Sequence, residues 1–102
     1  KKWILSKRNK LKFIIIDKGA EKALLSGKSL LAAGIKASSR SFNRGEIIDI
    51  LSINDKLLGY GIIAYDSKEI KMITGKQSKD IKKLLGYKLR DEAIHRNDMV
   101  IN

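Results

Sequence analysis

The stretch from Phe13 to Ile35 leaves a chain like this few ways to fold. Phe13-Ile14-Ile15-Ile16 is apolar and mostly β-branched, too short for a helix and right for a strand buried on both faces. Asp17 then changes the period. Its carboxylate can accept the free N–H groups of a first helical turn and favours that positive end, so a helix should begin at Lys18. Gly27 is placed to end it, because the residue just past a helix often needs a positive φ. Between these stops Ala20, Ala23 and Leu24 form one apolar stripe toward the strand, with Lys18, Glu21 and Lys22 toward water. Burial of Leu24 alone is worth about 1.5 to 3 kcal/mol.

Downstream, Glu46–Leu51 and Leu57–Tyr65 flank Ser52-Ile53-Asn54-Asp55-Lys56, which predicts a hairpin. Gly59 and Gly61 sit two apart on one strand face and predict close approach of another backbone. Asp66-Ser67-Lys68-Glu69 is a capping box opening a short helix with Ile70 and Ile73, stopped by Gly75. Ser78 is expected to cap another, with Ile81, Leu84 and Leu85 opposite Lys79, Lys82 and Lys83, and Gly86 at its end. Lys36 to Gly45 is polar and small and reads as an exposed strand end and turn. Met99-Val100-Ile101 reads as a closing strand. The order of elements favours a small mixed barrel over a layered parallel sheet, a mostly β chain with short helices (α+β).

A chain of 102 residues makes one domain. No apolar run approaches the roughly 18 residues of a membrane span. Cysteine is absent, which removes disulfides and thiolate metal sites and fits a reducing cytoplasm. The chain opens Lys1-Lys2-Trp3 without methionine and reads as a piece of a longer protein, with Trp3 as a packing anchor. Its formal net charge of +11 is unevenly spread. Residues 1–12 hold Lys1, Lys2, Lys7, Arg8, Lys10 and Lys12 without an acid, and residues 22–45 hold Lys22, Lys28, Lys36, Arg40 and Arg44 without an acid. Such segregation makes a positive field that attracts polyanions. A lysine-rich coding bias or a surface tuned for solubility would give the same count, so those readings stay open.

Gly27-Lys28-Ser29 imitates the end of a phosphate loop, but the required first glycine is Lys22 and the segment ends a helix instead of opening one. His95 is the only histidine; with no cysteine and no serine–acid partner set it reads as structural. No catalytic residue, metal ligand or cofactor site is expected in this chain. RNA-recognition signatures such as a Gly-x-x-Gly loop or an aromatic-studded basic octapeptide are also missing.

Phe13-Ile14-Ile15-Ile16-Asp17-Lys18-Gly19-Ala20, Gly27-Lys28-Ser29-Leu30-Leu31-Ala32-Ala33-Gly34-Ile35 and Phe42-Asn43-Arg44-Gly45-Glu46, in that order, resemble a PUA domain. With Gly61–Ile70, Ile81–Tyr87 and Ala93–Asp98 the chain is more narrowly similar to the C-terminal PUA domains of glutamate 5-kinases. Ala32-Ala33 departs from relatives that often carry proline there, which touches only turn stiffness. The resemblance implies a PUA-like β pseudobarrel with the first helix packed across it, over residues 13–102. Residues 1–12 would be a basic linker and first short strand region after a missing kinase domain, Trp3-Ile4 following the link. The parent would phosphorylate the side-chain carboxylate of glutamate in proline biosynthesis, with ATP and Mg held in that other domain. RNA-binding PUA domains use the first helix and the following strand, which here carry Lys22, Lys28, Lys36, Arg40 and Arg44. RNA, the kinase domain of the same chain and a homo-oligomer are the implied partners. A second reading is a structural or regulatory appendage that tunes oligomerisation or feedback without touching RNA. Gly34 and Gly45 are expected to let a ligand's backbone approach the strand.

Overall fold

The computed structural model describes residues 12–39 and 41–102. Trp3, the basic segment up to residue 11, and Arg40 therefore lie outside the described residues. Strand β1 (Phe13–Ile16) runs into helix α1 (Lys18–Leu25) through Asp17, whose Oδ1 accepts the Ala20 N–H at 2.7 Å. Ile14 and Ile16 are fully buried, whereas Phe13 and Ile15 are half-buried. The expected burial on both faces is thus corrected to one, because β1 lies in a largely antiparallel sheet whose second face is only partly covered.

After α1 come β2 (Leu30–Leu31), a 3-10 turn at Ala32–Gly34, β3 (Ile35–Ser38), β4 (Ile47–Leu51) and β5 (Leu57–Ile62). Helix α2 (Ser67–Ile73) follows, then a 3-10 turn at Ser78–Asp80, α3 (Ile81–Leu85), β6 (Glu92–Ile94), a 3-10 turn at Arg96–Asp98 and β7 (Met99–Ile101). One sheet has the order β3-β1-β4-β5-β7, with β1 and β4 parallel and the other pairs antiparallel. A second pairs β2 with β6. The Ala64 N–H donates to Ala93 O at 2.9 Å and joins the end of β5 to β6. From β6 the path returns through β2 and its 3-10 turn to β3, the far edge of the first sheet. That bridge gives the barrel-like closure, although β3 and β7 remain ladder edges among the described residues.

The hairpin forms as expected, its turn held by Ser52, whose Oγ accepts the N–H groups of Asn54 and Lys56 at 3.2 and 3.1 Å. Gly59 and Gly61 face β7 so closely that a Cβ at Gly59 would lie 2.1 Å from Val100 O. The capping box is complete: Asp66 Oδ1 accepts the Glu69 N–H, and Glu69 Oε1 accepts the Asp66 N–H, each at 2.8 Å. It aims Ile70 and Ile73 into a core shared with Ile48, Ile50, Ile63 and Tyr65.

Three local expectations differ from the structure. Ser78 does not cap α3. Its Oγ donates to Asp91 O at 3.0 Å, one 3-10 turn intervenes, and the helix starts at Ile81. Leu84 is exposed, since a helix of 5 residues buries only Ile81 and part of Leu85 at i and i+4. Phe42, expected in an exposed turn, is buried: its N–H donates to Ser67 Oγ at 3.3 Å and its carbonyl accepts the Ser67 N–H at 3.0 Å, so the start of α2 pulls it inward.

Candidate nucleic-acid interface

Helix α1 ends as Gly27 dictates, and the manner of its ending builds one wall of a cleft. With Gly27 at φ +82°, the Gly27 N–H donates to Leu24 O at 3.0 Å and the Lys28 N–H to Ala23 O at 2.9 Å, a Schellman closure. It folds Lys28 back beside Ala23. At the other end the Asp17 N–H donates to Gly34 O at 2.9 Å, tying the start of α1 to the 3-10 turn. Ala20 sits against Gly34, where a Cβ would come 2.4 Å from Ala20 Cβ. The smallness of Gly34, which also lines the cleft described next, serves this crossing, and Gly45 occupies a positive-φ turn at +82°.

Between α1, β2, the 3-10 turn and β6 lies an open cleft of about 420 Å³. Its apolar lining is mostly small, with Gly19, Ala20, Ala23, Ala33 and Gly34 joined by the larger Leu31, while Lys28 and Glu92 supply charge at its walls. Asp17, also lining it, is engaged as the helix cap, and Ser29 Oγ accepts the Arg96 N–H at 2.8 Å. The small residues of this lining admit a flat ring close to backbone, exposed Leu31 offers it an apolar side chain, and Lys28 can meet an anion beside it. Glu92 is half-buried, and its carboxylate can accept from an exocyclic amine.

Lys28 lines this cleft; Lys22 stands exposed on α1, next in sequence to the lining Ala23; Lys36 stands exposed on β3, two residues past the lining Gly34. None of the three has an ion-pair partner among the described residues. Arg44 is elsewhere and occupied. It projects from the turn before β4, donates through Nε to Glu69 Oε1 at 2.9 Å and through Nη2 to Glu69 Oε2, and lies 5.7 Å from the Tyr87 ring centroid. Tyr87 Oη donates to the same carboxylate. Burial pushes Glu69 up, but the bonds from Arg44, Tyr87 and its own capping box outweigh this and hold it at about 2. Glu92 was missed from sequence because only the β2–β6 pairing brings it to the cleft.

His95 Nδ1 accepts the Asn97 N–H at 3.1 Å and caps a 3-10 turn. Among the described residues no group of three His, Asp or Glu side chains is placed to hold a metal ion, and no helix is long and apolar enough to cross a membrane.

A curled sheet with a helix laid across it and a cleft beneath that helix with Lys28 on its wall define a small barrel-like module. Residues 12–85 match the PUA domain family, and the chain belongs to it. Over 101 residues, 99% of its length, it is 43% identical to a glutamate 5-kinase of Bartonella henselae, of which it covers 27%. The chain thus spans about a quarter of the length of the curated relatives it matches. A PUA domain from Aeropyrum pernix K1, solved as a tartrate complex, superposes with TM-score 0.62 at 24% identity, over 83% of this chain and 41% of that one. An H/ACA RNP bound to a substrate RNA superposes with TM-score 0.59 at 20% identity, over 82% of this chain and 22% of the other. These two likenesses establish the fold.

Proposed function

We propose that this chain is the non-catalytic PUA module of a glutamate 5-kinase and that its α1 cleft binds single-stranded RNA. The observation carrying the reading is the cleft with Lys28 on its wall and exposed Lys22 and Lys36 on α1 and β3, none of the three with an ion-pair partner among the described residues. An RNA-bound structural neighbour and the glutamate 5-kinase relatives support it. Of the five cations expected from sequence, Lys22, Lys28 and Lys36 take the phosphate role. Arg40 lies outside the described residues. Arg44 belongs to the fold through Glu69. The parent enzyme would act in the cytoplasm, using ATP and Mg in its kinase portion to phosphorylate glutamate for proline synthesis.

A labelled oligouridylate of about five nucleotides tests this. Three phosphate contacts predict a log–log salt slope near −2, lost on joint charge reversal of Lys22, Lys28 and Lys36. Binding that ignores salt, or that survives the reversal, refutes it. A second reading, a structural or regulatory appendage of a homo-oligomeric kinase, draws on exposed Ile47, Ile62 and Val100, which neighbour one another across β4, β5 and β7. Deleting the module from the parent would then alter assembly or feedback; unchanged behaviour rules it out.

A further inference from the structure

We propose that the exposed lysines of α2 and α3 continue the cleft's phosphate contacts, so that a strand leaving the cleft runs over Lys76 and Lys79 to Lys82 and Lys83. This rests on the reading of the cleft as an RNA site and extends it to a surface beyond α1 and β2. Lys68 and Lys71 are exposed on one side of α2, and Lys76 follows at its end. Lys79, Lys82 and Lys83 share an exposed side at i, i+3 and i+4. The two helices pack against each other.

None of these six lysines has an ion-pair partner among the described residues. The acids interspersed with them offset only part of that charge. Asp66 caps α2, Glu69 is turned inward to Arg44 and Tyr87, and Asp80 is half-buried. Beyond the helices the charge is cancelled, with Lys88 paired to Asp91 at 2.6 Å and Arg90 to Asp98 at 3.2 Å. The positive surface therefore has an end.

Its beginning is anchored to the cleft. The Gly75 N–H donates to Ala32 O at 2.9 Å, directly before the cleft-lining Ala33 and Gly34. Ser78 Oγ donates to Asp91 O at 3.0 Å, directly before the cleft-lining Glu92. The connection carrying Lys76 is thus pinned to both walls, and Lys79 stands one residue past the second pin. A cleft that admits an unstacked base favours a single strand, whose backbone then meets a row of ammonium groups at the exit.

Fluorescence anisotropy with labelled oligouridylates of about five and about fifteen nucleotides separates cleft from extension. Lys79→Gln/Lys82→Gln/Lys83→Gln, with all three sites exposed, leaves the core intact. It should bind the short strand as the wild type does and show a salt slope for the long strand shallower by about 2. Between about 50 and about 200 mM salt the wild type should therefore lose about twentyfold more affinity for the long strand than the variant. Lys22→Gln/Lys28→Gln/Lys36→Gln should weaken both strands. A track variant that matches the wild type on the long strand overturns the extension, leaves the cleft reading standing and assigns these lysines to solubility. Failure of the wild type to bind either strand removes both.

Discussion

Replacing Glu69 with glutamine keeps the shape of the side chain and its ability to accept the Asp66 N–H, so α2 retains its capping box. What disappears is the negative charge between Arg44 and Tyr87. Native Glu69 is held at about 2, against about 4.3 in an unfolded chain, and each unit corresponds to about 1.4 kcal/mol. The full difference is about 3 kcal/mol. The Arg44 side chain is 48% exposed, so water screens its share and no buried charge is stranded by the substitution; the expected loss is about 2 kcal/mol near neutral pH. Because the folded value is depressed, this stabilisation is complete above the unfolded value and fades as pH falls toward 2. Urea unfolding followed by circular dichroism, on wild type and Glu69→Gln in parallel, measures the gap. It should be about 2 kcal/mol at about pH 7, shrink below about pH 4 and close near pH 2. A gap that stays constant over that range would show that lost packing, and not lost charge, sets the effect, and would refute the reasoning.

Two further substitutions test the packing that shapes the molecule. Gly59→Ala would place a Cβ 2.1 Å from Val100 O and 2.9 Å from Ile101 Cα, backbone that cannot rotate away. Loss of about 3 kcal/mol or more is expected, with faster amide exchange along β7; a change below about 0.5 kcal/mol would mean that β7 is not held there. Gly34→Ala should cost about 1 to 3 kcal/mol by clashing with Ala20 Cβ. Ala20→Gly in the same chain should recover most of that, less about 1 kcal/mol for a glycine inside α1; simple additivity of the two losses would show that the crossing is not where the strain falls.

Much of the fold was legible because its signals are local. Asp17, Asp66 and Glu69 act on backbone groups within three residues, and Gly27, Gly75 and Gly86 take positive φ where the helices stop. The Gly59 and Gly61 pair announced a close neighbour without naming it, and the sheet supplied β7. The short elements were not legible. β2 and β6 hold too few residues to show a period, and Ser78 satisfied a cap rule while its hydroxyl was drawn to Asp91 from across the fold. Phe42 looked like a turn residue until the start of α2 supplied its hydrogen-bond partners.

The candidate site divides along the same line. Net charge, the acid-free run from Lys22 to Arg44 and the turns that end α1 follow from residue order, since charge and φ preference travel with each residue. Which charges reach solvent does not, because it depends on where each carboxylate finds its partner. Glu69 neutralises the still-exposed Arg44, Asp17 and Asp66 are taken by helix ends, and Asp91 and Asp98 hold Lys88 and Arg90. Residues 46–102 hold ten basic and nine acidic side chains, and that near balance hid the exposed lysines of α2 and α3 for that reason. A count weighs all charges equally, whereas the folded chain turns some of its carboxylates inward and leaves these lysines out.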